Sequence, residues 1–261
     1  MALTRAQFTQ AHAAEERQQG LAHLQHLSYR ELQDLLTDPQ QAAPWIRSAA
    51  DCGVAAAQLR WGRMLLAGTG VAPDAGAALA WFERAARQGD AEAVNMVGRC
   101  LENGWGTAVD LVRAAAQYQL SAQRAYDWGE YNFGNMLFDG RGVACDRRLA
   151  VHWYRRAAAQ GHARAMNLLG RCLEQGWGCA ADPHAAAAWY QRSAESGYFR
   201  GQFNFAAVLA EHGHAAAAAI WYRKAAGGGD RAIRRCIVSA LINASHPDLC
   251  AARSEILASC R

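Results

Sequence analysis

The same residue types return along this chain at a spacing of 36 residues. One register holds tryptophan, and another, seven positions earlier, holds aspartate. The tryptophans are Trp45, Trp81, Trp153 and Trp189, with Gln117 in the remaining position, and the aspartates are Asp38, Asp74, Asp110, Asp146 and Asp182. Self-similarity at a fixed period of this size is typical of solenoids and other repeat arrays. The period therefore predicts a stack of similar units in which each unit contacts its neighbours.

Four complete units and two incomplete ones follow from this register. The complete units are 53–88, 89–124, 125–160 and 161–196, a degenerate unit at 17–52 precedes them, and a shortened unit at 197–228 follows. Stacked repeats need polar ends, because the first and last units would otherwise expose their apolar faces. We therefore interpret 1–16 as an N-terminal capping helix and 229–261 as C-terminal capping helices, with Ser245 and Asp248 as a capping box. The whole chain, 1–261, is predicted to be a single repeat domain.

Each complete unit is predicted to hold two helices joined by a glycine turn. In 89–124, an apolar stripe at helical spacing runs from Val94 to Leu101 and ends at Gly104 and Gly106. Glycine ends helices because it adopts the left-handed conformation without the penalty of a β-carbon. The aspartate of the register then accepts hydrogen bonds from the first free N–H groups of the second helix. These signals predict an all-α solenoid of helix-turn-helix repeats.

The second helix of each unit carries the aromatic part of the core. Its tryptophan is followed by Phe82, Tyr154 or Tyr190, and small residues stand one turn later, such as Ala157 and Ala158. Small side chains let a neighbouring helix approach closely, and the aromatic rings fill the space between layers. A single unit cannot bury these faces alone, so the core is predicted to form by stacking.

Composition and charge exclude several classes of protein. Apolar residues make up 52% of the chain, and only 5 prolines occur, which argues against disorder and favours helix. A net charge of +4 with scattered basic pairs gives no strong nucleic-acid footprint. The N-terminus lacks the apolar region of a signal peptide, and no apolar run is long enough to span a membrane. Together with eight cysteines that lack a framework spacing, this predicts a cytoplasmic protein with reduced thiols, no nucleic-acid partner and no membrane insertion.

The run FGNMLFDGRGVACDRRLAVHWYRRAAAQG, at 133–161, resembles the Sel1-like repeat, a relative of the tetratricopeptide repeat. The resemblance covers 17–228, and the pattern L-G-x-x-Y…G-x-G-V…D…A…W-Y…A-A…G recurs in four units. It implies a right-handed α/α superhelix whose first helices line a concave groove. Family members generally hold other proteins, which implies a non-enzymatic adaptor with a protein or peptide partner. We predict that the chain is a monomer or a weak homodimer. The chain departs from the pattern at the family's tyrosine position, which holds Leu65, Leu101, Leu137 and Leu173.

The sequence Arg-Cys-x-Glu occurs twice, at 99–102 and at 171–174, and raises the question of a duplicated active site. Cys100 and Cys172 share their position with Met64, Met136 and Val208, so this position accepts any apolar side chain of medium size. Free cysteine packs as a small hydrophobic residue, and no activating base recurs beside it. The two cysteines are therefore predicted to be core residues, and no catalytic residue is assigned.

Polar residues at the neighbouring positions are the candidate binding residues. If the units follow tetratricopeptide geometry, these side chains face the groove, where Arg and Asn would hold a peptide backbone or carboxylate and aromatic residues would supply apolar anchors. The predicted groove residues are Arg63, Asn95, Arg99, Glu102, Trp128, Tyr131, Asn135, Phe138, Asn167, Arg171 and Glu174. The alternative is that Arg99 with Glu102, and Arg171 with Glu174, form i,i+3 pairs on the helix surface. Trp105 and Trp177, inside the glycine turns, either cover a neighbouring turn or belong to a contact surface.

Other functions are carried as alternatives. His23 with His26, and His212 with His214, lack the further ligands that a metal site needs, so neither a metal nor another cofactor is predicted. Cys172 and Cys179 admit a disulfide interpretation, as in the cysteine-rich secreted members of the family that are described as β-lactamases. This chain has neither a recurring cysteine pair nor the S-x-x-K motif, so that hydrolase is an alternative only. The other is a self-associating structural protein that uses the exposed edge of the stack.

Overall fold

The computed structural model describes residues 37–259, and this part of the chain is helical, with thirteen α-helices and no strand. The helices are α1 Pro39–Asp51, α2 Ala55–Ala67, α3 Ala75–Arg87, α4 Ala91–Asn103, α5 Leu111–Gln123, α6 Asp127–Asp139, α7 Arg147–Ala159, α8 Ala163–Gln175, α9 Pro183–Glu195, α10 Phe199–Glu211, α11 Ala215–Gly228, α12 Arg231–Ala240 and α13 Pro247–Ala258. No helix among residues 37–259 is long and apolar enough to cross a membrane. The predicted helix at 1–16 and the first half of the unit at 17–52 lie outside the described residues.

The helices form two compact structural units, which are larger than the 36-residue repeat units. We call the one that ends at Ser121 the first unit and the one that begins at Ala122 the second unit. In the first unit, α1 packs on α2, α2 on α3, and α3 on α4. In the second unit, each helix from α6 to α11 packs on the next, α8 also contacts α10, and α13 packs on α11 and α12. The prediction of an all-α repeat solenoid is confirmed. The boundaries proposed for the individual repeats and the description of 1–261 as one domain stay predictions.

The predicted capping signals explain where the helices begin and end. Gly104 ends α4 in the left-handed conformation, with φ of 74°, and its N–H donates to the carbonyl of Cys100. The Asp146 carboxylate accepts from the N–H of Leu149, 2.9 Å away, and so caps α7. At the C-terminal end the capping residue differs from the predicted Ser245, because His246 Nδ1 accepts from the N–H of Asp248 at 3.3 Å.

A glycine in the first helix of each complete unit makes room for an aromatic ring of the second helix. A β-carbon built at Gly134 would lie 2.6 Å from the ring of Tyr154, and one at Gly170 would lie 2.7 Å from the ring of Tyr190. The equivalent pairs in the first unit are Gly62 with Phe82 and Gly98 with Tyr118. We call this arrangement the glycine notch. It lets the two helices of one repeat unit approach closely around a buried ring.

The tryptophans of the 36-residue register pack beside these rings. Trp81 and Trp153 are buried, and the ring centroid of Trp153 lies 5.7 Å from that of Phe133, edge to face. In four of the repeat units, the residue three positions after the tryptophan is an arginine or lysine whose cation lies over the ring. The ring–cation pairs are Trp81 with Arg84, Trp153 with Arg156, Trp189 with Arg192, and Trp221 with Lys224, at 4.2 to 4.8 Å. Such pairs shield the outer face of the ring from water.

One buried carboxylate interrupts this apolar packing. Glu130 is completely buried, accepts from Gln160 Nε2 at 2.8 Å, and has Arg156 Nη2 at 2.9 Å from Oε1. Burial raises the pKa of the Glu130 carboxyl above its ordinary value, although Arg156 opposes the shift. Gln58 occupies the equivalent position in the first unit and accepts from Gln88 in the same way, at 2.8 Å. A neutral amide therefore fits this site.

The exchange Glu130→Gln is expected to make the protein relatively more stable as pH rises. Because the pKa of Glu130 is raised on folding, the folded state binds more protons than the unfolded state above about pH 4.5. The free energy of unfolding of the parent protein therefore falls as pH rises through that range. The amide does not titrate, and the difference between the two unfolding free energies should therefore grow from acidic to neutral pH. Urea unfolding of both proteins across this range measures it. Parallel curves would show that Arg156 fully compensates for the burial.

Candidate functional site

Part of the predicted groove forms a pocket on the first-helix face of the second unit. It has a volume of about 330 Å³ and lies between α6 and α8, where Asn135 and Phe138 face Leu168, Arg171 and Trp177. Tyr154, Cys172 and Asp139 complete its lining. We call it the α6–α8 pocket. Three of the predicted groove residues, Asn135, Phe138 and Arg171, are thus brought together around one cavity, with Trp177 from the glycine turn.

Arg171 is held in this pocket by stacking. Its guanidinium lies 5.4 Å from the centroid of the Trp177 ring, and that ring lies 5.6 Å from the ring of Phe138. A guanidinium within about 6 Å of an indole ring is attracted to the ring face, and this contact uses none of its N–H donors. Arg171 is exposed, so a ligand can reach its side chain.

A second pocket, of about 360 Å³, adjoins the other side of Arg171. It extends from α8 over α10 to the start of α12, and Phe199, Phe203 and Ile233 supply its apolar wall. We call it the α8–α12 pocket. Its polar lining residues are Asn167, Arg171, Arg200, Asn204 and Asp230. Arg171 therefore borders both pockets, so a ligand that extends from one to the other would pass this residue.

The polar side chains in and beside these pockets differ in which of their atoms already form hydrogen bonds within the protein. Asn135 Oδ1 accepts from the hydroxyl of Tyr154 at 2.9 Å, which fixes the amide and leaves its NH2 group for the pocket. Asn167 is buried, and its Oδ1 accepts from Asn204 Nδ2 at 2.8 Å. Glu174 accepts from the hydroxyl of Tyr190 at 3.1 Å. Asn135 therefore remains a donor for a ligand, whereas Asn167 and Glu174 support neighbouring helices.

The first unit repeats the arrangement of Arg171, Trp177 and Glu174. The guanidinium of Arg99 lies 5.1 Å from the centroid of the Trp105 ring, and Glu102 accepts from the hydroxyl of Tyr118 at 2.5 Å. The sequence left two roles open for Trp105 and Trp177, cover for a neighbouring turn or part of a contact surface. The structure adds a third, because each ring contacts the guanidinium of an arginine. Asn95 is buried within α4, and Arg63 forms an ion pair with Glu92.

Trp128 and Tyr131 lie apart from the α6–α8 pocket and cluster around His162. The His162 ring centroid is 4.5 Å from that of Trp128 and 4.7 Å from that of Tyr131. Ten residues separate Trp128 from Phe138, so they stand roughly 15 Å apart along α6. Burial lowers the pKa of His162, whose Nδ1 accepts from the N–H of Ala165. A neutral imidazole therefore caps α8 and supports the two rings.

The sequence prediction included Trp128 and Tyr131 but missed His162, Arg164 and Tyr198, which lie in the same cluster. Arg164 places its guanidinium 5.2 Å from the Trp128 ring and 5.8 Å from the Tyr198 ring. Arg200 and Phe203 of the α8–α12 pocket were also missed. The available signal was the first turn of each first helix, where His162 and Tyr198 share one register with Tyr126.

The cysteines show features of packing residues. Cys100 and Cys172 are buried, and burial raises the pKa of their thiols to about 11 and about 12. Such thiols stay protonated at neutral pH, which opposes a nucleophilic role. Cys179 is a free thiol whose Sγ lies 3.5 Å from the carbonyl oxygen of Cys172.

Metal-ligating residues do not cluster in the described part of the chain. No group of three or more His, Cys, Asp or Glu side chains there could hold a metal ion. His212 Nδ1 lies 2.8 Å from the carbonyl oxygen of Val208 in its own helix. The pair of His23 and His26 lies outside the described residues.

Solved structures with the same fold come from several bacteria. A Sel1 repeat protein from Oxalobacter formigenes is 24% identical, with a TM-score of 0.76 over 94% of this chain and 96% of that one. The protective antigen c5321 of uropathogenic Escherichia coli, which displays an SLR fold, is 25% identical, with a TM-score of 0.71. That match covers 96% of this chain, which spans only 54% of the antigen. The immunity protein Pa5087 of Pseudomonas aeruginosa is 17% identical, with a TM-score of 0.52 over 78% of this chain and 80% of its own.

Comparison with family models identifies the repeats themselves, whereas comparison with curated protein sequences gives no significant match. The Sel1 repeat matches at 20–54, 55–90, 91–126, 114–162, 163–198 and 215–230. These matches follow the 36-residue period through most of the chain, including part of the shortened unit. The chain belongs to the Sel1 repeat family.

Proposed function

We propose that this protein is a scaffold that binds a peptide segment of another protein along the first-helix face of its second unit. The observation that carries the proposal is the position of Arg171, which borders two pockets and is oriented by Trp177. A Sel1 repeat solenoid is a fold suited to protein interaction, which is the general context of the proposal. The proposed binding residues are Asn135, Phe138 and Arg171, with Trp177 added.

The chemistry of the two pockets favours an extended segment with an acidic or carboxylate group and a bulky apolar neighbour. Arg171 would donate two parallel hydrogen bonds to the carboxylate, and the NH2 group of Asn135 would donate to a backbone carbonyl. Phe138 and Trp177 would enclose the apolar side chain, which supplies most of the binding energy. Residues 122–261 carry 17 Arg and Lys against 11 Asp and Glu, a net charge of +6, which would attract an acidic segment.

The surrounding predictions belong to the same proposal. The scaffold would act in the cytoplasm as a monomer or weak homodimer, without enzymatic activity, cofactor or nucleic acid. The free state of the cysteines in residues 37–259 and the raised pKa of Cys100 and Cys172 support this over the cysteine-rich hydrolase. Light scattering across a concentration series would distinguish a monomeric scaffold from the self-associating alternative.

The test is the effect of Arg171→Met on a peptide selected for binding. Short random peptides displayed on phage are selected on the purified protein, and one synthetic, labelled peptide is titrated by fluorescence anisotropy. Methionine keeps apolar contact with Trp177 but removes the charge and all the donors. Loss of hydrogen bonds to a charged group should weaken binding by about tenfold to a hundredfold.

The matched control is Arg148→Met, which removes an exposed arginine of α7 that lines neither pocket. Affinity should change less than about twofold there, because only long-range attraction is lost. Phe138→Ala should weaken binding as much as Arg171→Met does, because it removes the apolar wall. If the selected peptides bind Arg171→Met and Phe138→Ala as they bind the parent protein, the groove assignment is wrong.

A further inference from the structure

One pocket of the first unit is lined by Gln117, the residue that replaces tryptophan in the 36-residue register. It has a volume of about 360 Å³ and lies among α3, α4 and α5. Its lining includes Glu83, Arg87, Val97, Arg113, Gln117 and Leu120. We call it the Gln117 pocket. Gln117 stands where the 36-residue register places tryptophan in the neighbouring units, at Trp81 and Trp153.

The repeat unit at 89–124 lacks two aromatic residues that the unit at 125–160 has. In the unit at 125–160, Trp153 packs on Phe133, with ring centroids 5.7 Å apart. Counting back 36 residues from that pair gives Gln117 and Val97, and both of these line the pocket. A buried aromatic side chain covers about 150–250 Å² of surface, so losing both rings leaves space that smaller side chains do not fill.

The cation that covers the tryptophan elsewhere is also missing from its usual position. In four units that cation is three residues after the ring, as with Arg156 over Trp153 at 4.8 Å. Here the position holds Leu120, which is 37% exposed. Arg87 and Arg113 line the pocket instead, from α3 and α5. The pocket therefore retains cations for an aromatic face but has no ring of its own.

We propose that the Gln117 pocket binds an aromatic side chain of a partner protein, whose ring occupies the place that the chain's own tryptophan holds in the other units. The guanidinium groups of Arg87 and Arg113 complement the electron-rich ring face. The buried Val97 supplies apolar contact on the inner side, and the exposed Leu120 supplies it at the rim.

Tryptophan is the side chain that this lining fits best. Glu83 is half-buried at the pocket and offers a carboxylate to the indole N–H. One period later, the residue that corresponds to Glu83 is Gln119, which carries no carboxylate, and the Nε1 atom of Trp153 is buried without a hydrogen-bond partner. A buried donor favours a site with an acceptor, so indole is preferred over the phenyl ring.

This site is separate from the one proposed above. The Gln117 pocket is formed by α3, α4 and α5, whereas Arg171 and its pockets belong to α6, α8, α10 and α12 with parts of neighbouring segments. A failure of Arg171→Met to weaken the selected peptide would leave the present proposal unaffected. Conversely, loss of aromatic binding at Gln117 would leave the peptide groove in place.

The experiment uses N-acetyl-L-tryptophanamide as the probe and the full chain labelled with nitrogen-15. The probe should shift the amide resonances of Arg113, Gln117 and Leu120, with a dissociation constant on the order of 1 mM, as is usual for a single small group. N-acetyl-L-phenylalaninamide should bind several-fold more weakly. The variant Gln117→Trp fills the pocket from within and should weaken probe binding by at least about tenfold while raising the melting temperature.

The control is Gln119→Trp, which places the same ring on the exposed face of α5. It should bind the probe as the parent does, with an unchanged melting temperature. A second variant, Arg113→Gln, keeps the helix and should weaken the probe several-fold. Equal probe binding by Gln117→Trp, or the absence of any shift in the parent, would overturn the proposal. So would shifts at these amides that depend on protein concentration alone, because they would identify a second copy of the chain as the occupant.

Discussion

Replacing Trp153 with alanine is expected to lower the free energy of unfolding by about 3–5 kcal/mol. The ring is buried, packs edge to face on Phe133, and is covered by Arg156. Its removal takes apolar surface out of the core, leaves a cavity beside Phe133, and strips Arg156 of its support. Guanidinium chloride unfolding followed by circular dichroism measures the change. The repeats stack on one another, so the loss should lower the midpoint of the whole transition in the second unit.

The neighbouring exchange His152→Ala provides the comparison for Trp153→Ala. His152 is exposed on the same helix, with its ring 5.5 Å from that of Trp153, so its removal keeps the core intact. Its effect should stay within about 0.5 kcal/mol. A midpoint that barely moves for Trp153→Ala would show that this ring is not part of the core between helices.

Replacing Gly178 with alanine is expected to lower the free energy of unfolding by about 2–5 kcal/mol. Gly178 has φ of 71°, where a β-carbon costs roughly 1–2 kcal/mol. That β-carbon would also collide with the backbone carbonyl of Arg147, at the start of α7. A backbone cannot turn away as a flexible side chain can, so one of the two segments must move, which adds about 1–3 kcal/mol.

Gly161→Ala separates the two contributions, because Gly161 also has a positive φ, of 95°, but no atom lies within 4 Å of its β-carbon position. Only the backbone penalty applies there, so the loss should be about 1–2 kcal/mol. Differential scanning calorimetry of both variants gives the comparison. Equal losses would mean that the turn at Gly178 does not press on α7.

The sequence was sufficient to predict the helical repeats because their signals are local. The left-handed glycines and the capping aspartates act within a few residues, so Gly104 and Asp146 could be assigned from spacing alone. The glycine notch was harder to find. Gly134 and Tyr154 are 20 residues apart, and their contact depends on how the two helices cross, which periodicity does not specify.

The candidate site was partly predictable for the same reason. Register placed Asn135, Phe138 and Arg171 on one face, and the structure gathers them at one pocket. Trp128 shares that face but lies near the other end of α6, beside His162, because a helix separates residues along its axis as well as around it. Asn167 has a side-chain partner in Asn204, and only the three-dimensional packing reveals such a bond.

The glycine notch has a consequence for how such proteins change over evolutionary time. Each ring fits a glycine of its own unit, as Tyr190 fits Gly170 and Tyr118 fits Gly98. A gene duplication that copies one whole unit therefore carries both halves of the fit with it. Such arrays can lengthen or shorten by whole units without new compensating substitutions inside the helical pair, and partner specificity can then diverge on the side chains that the fit leaves free.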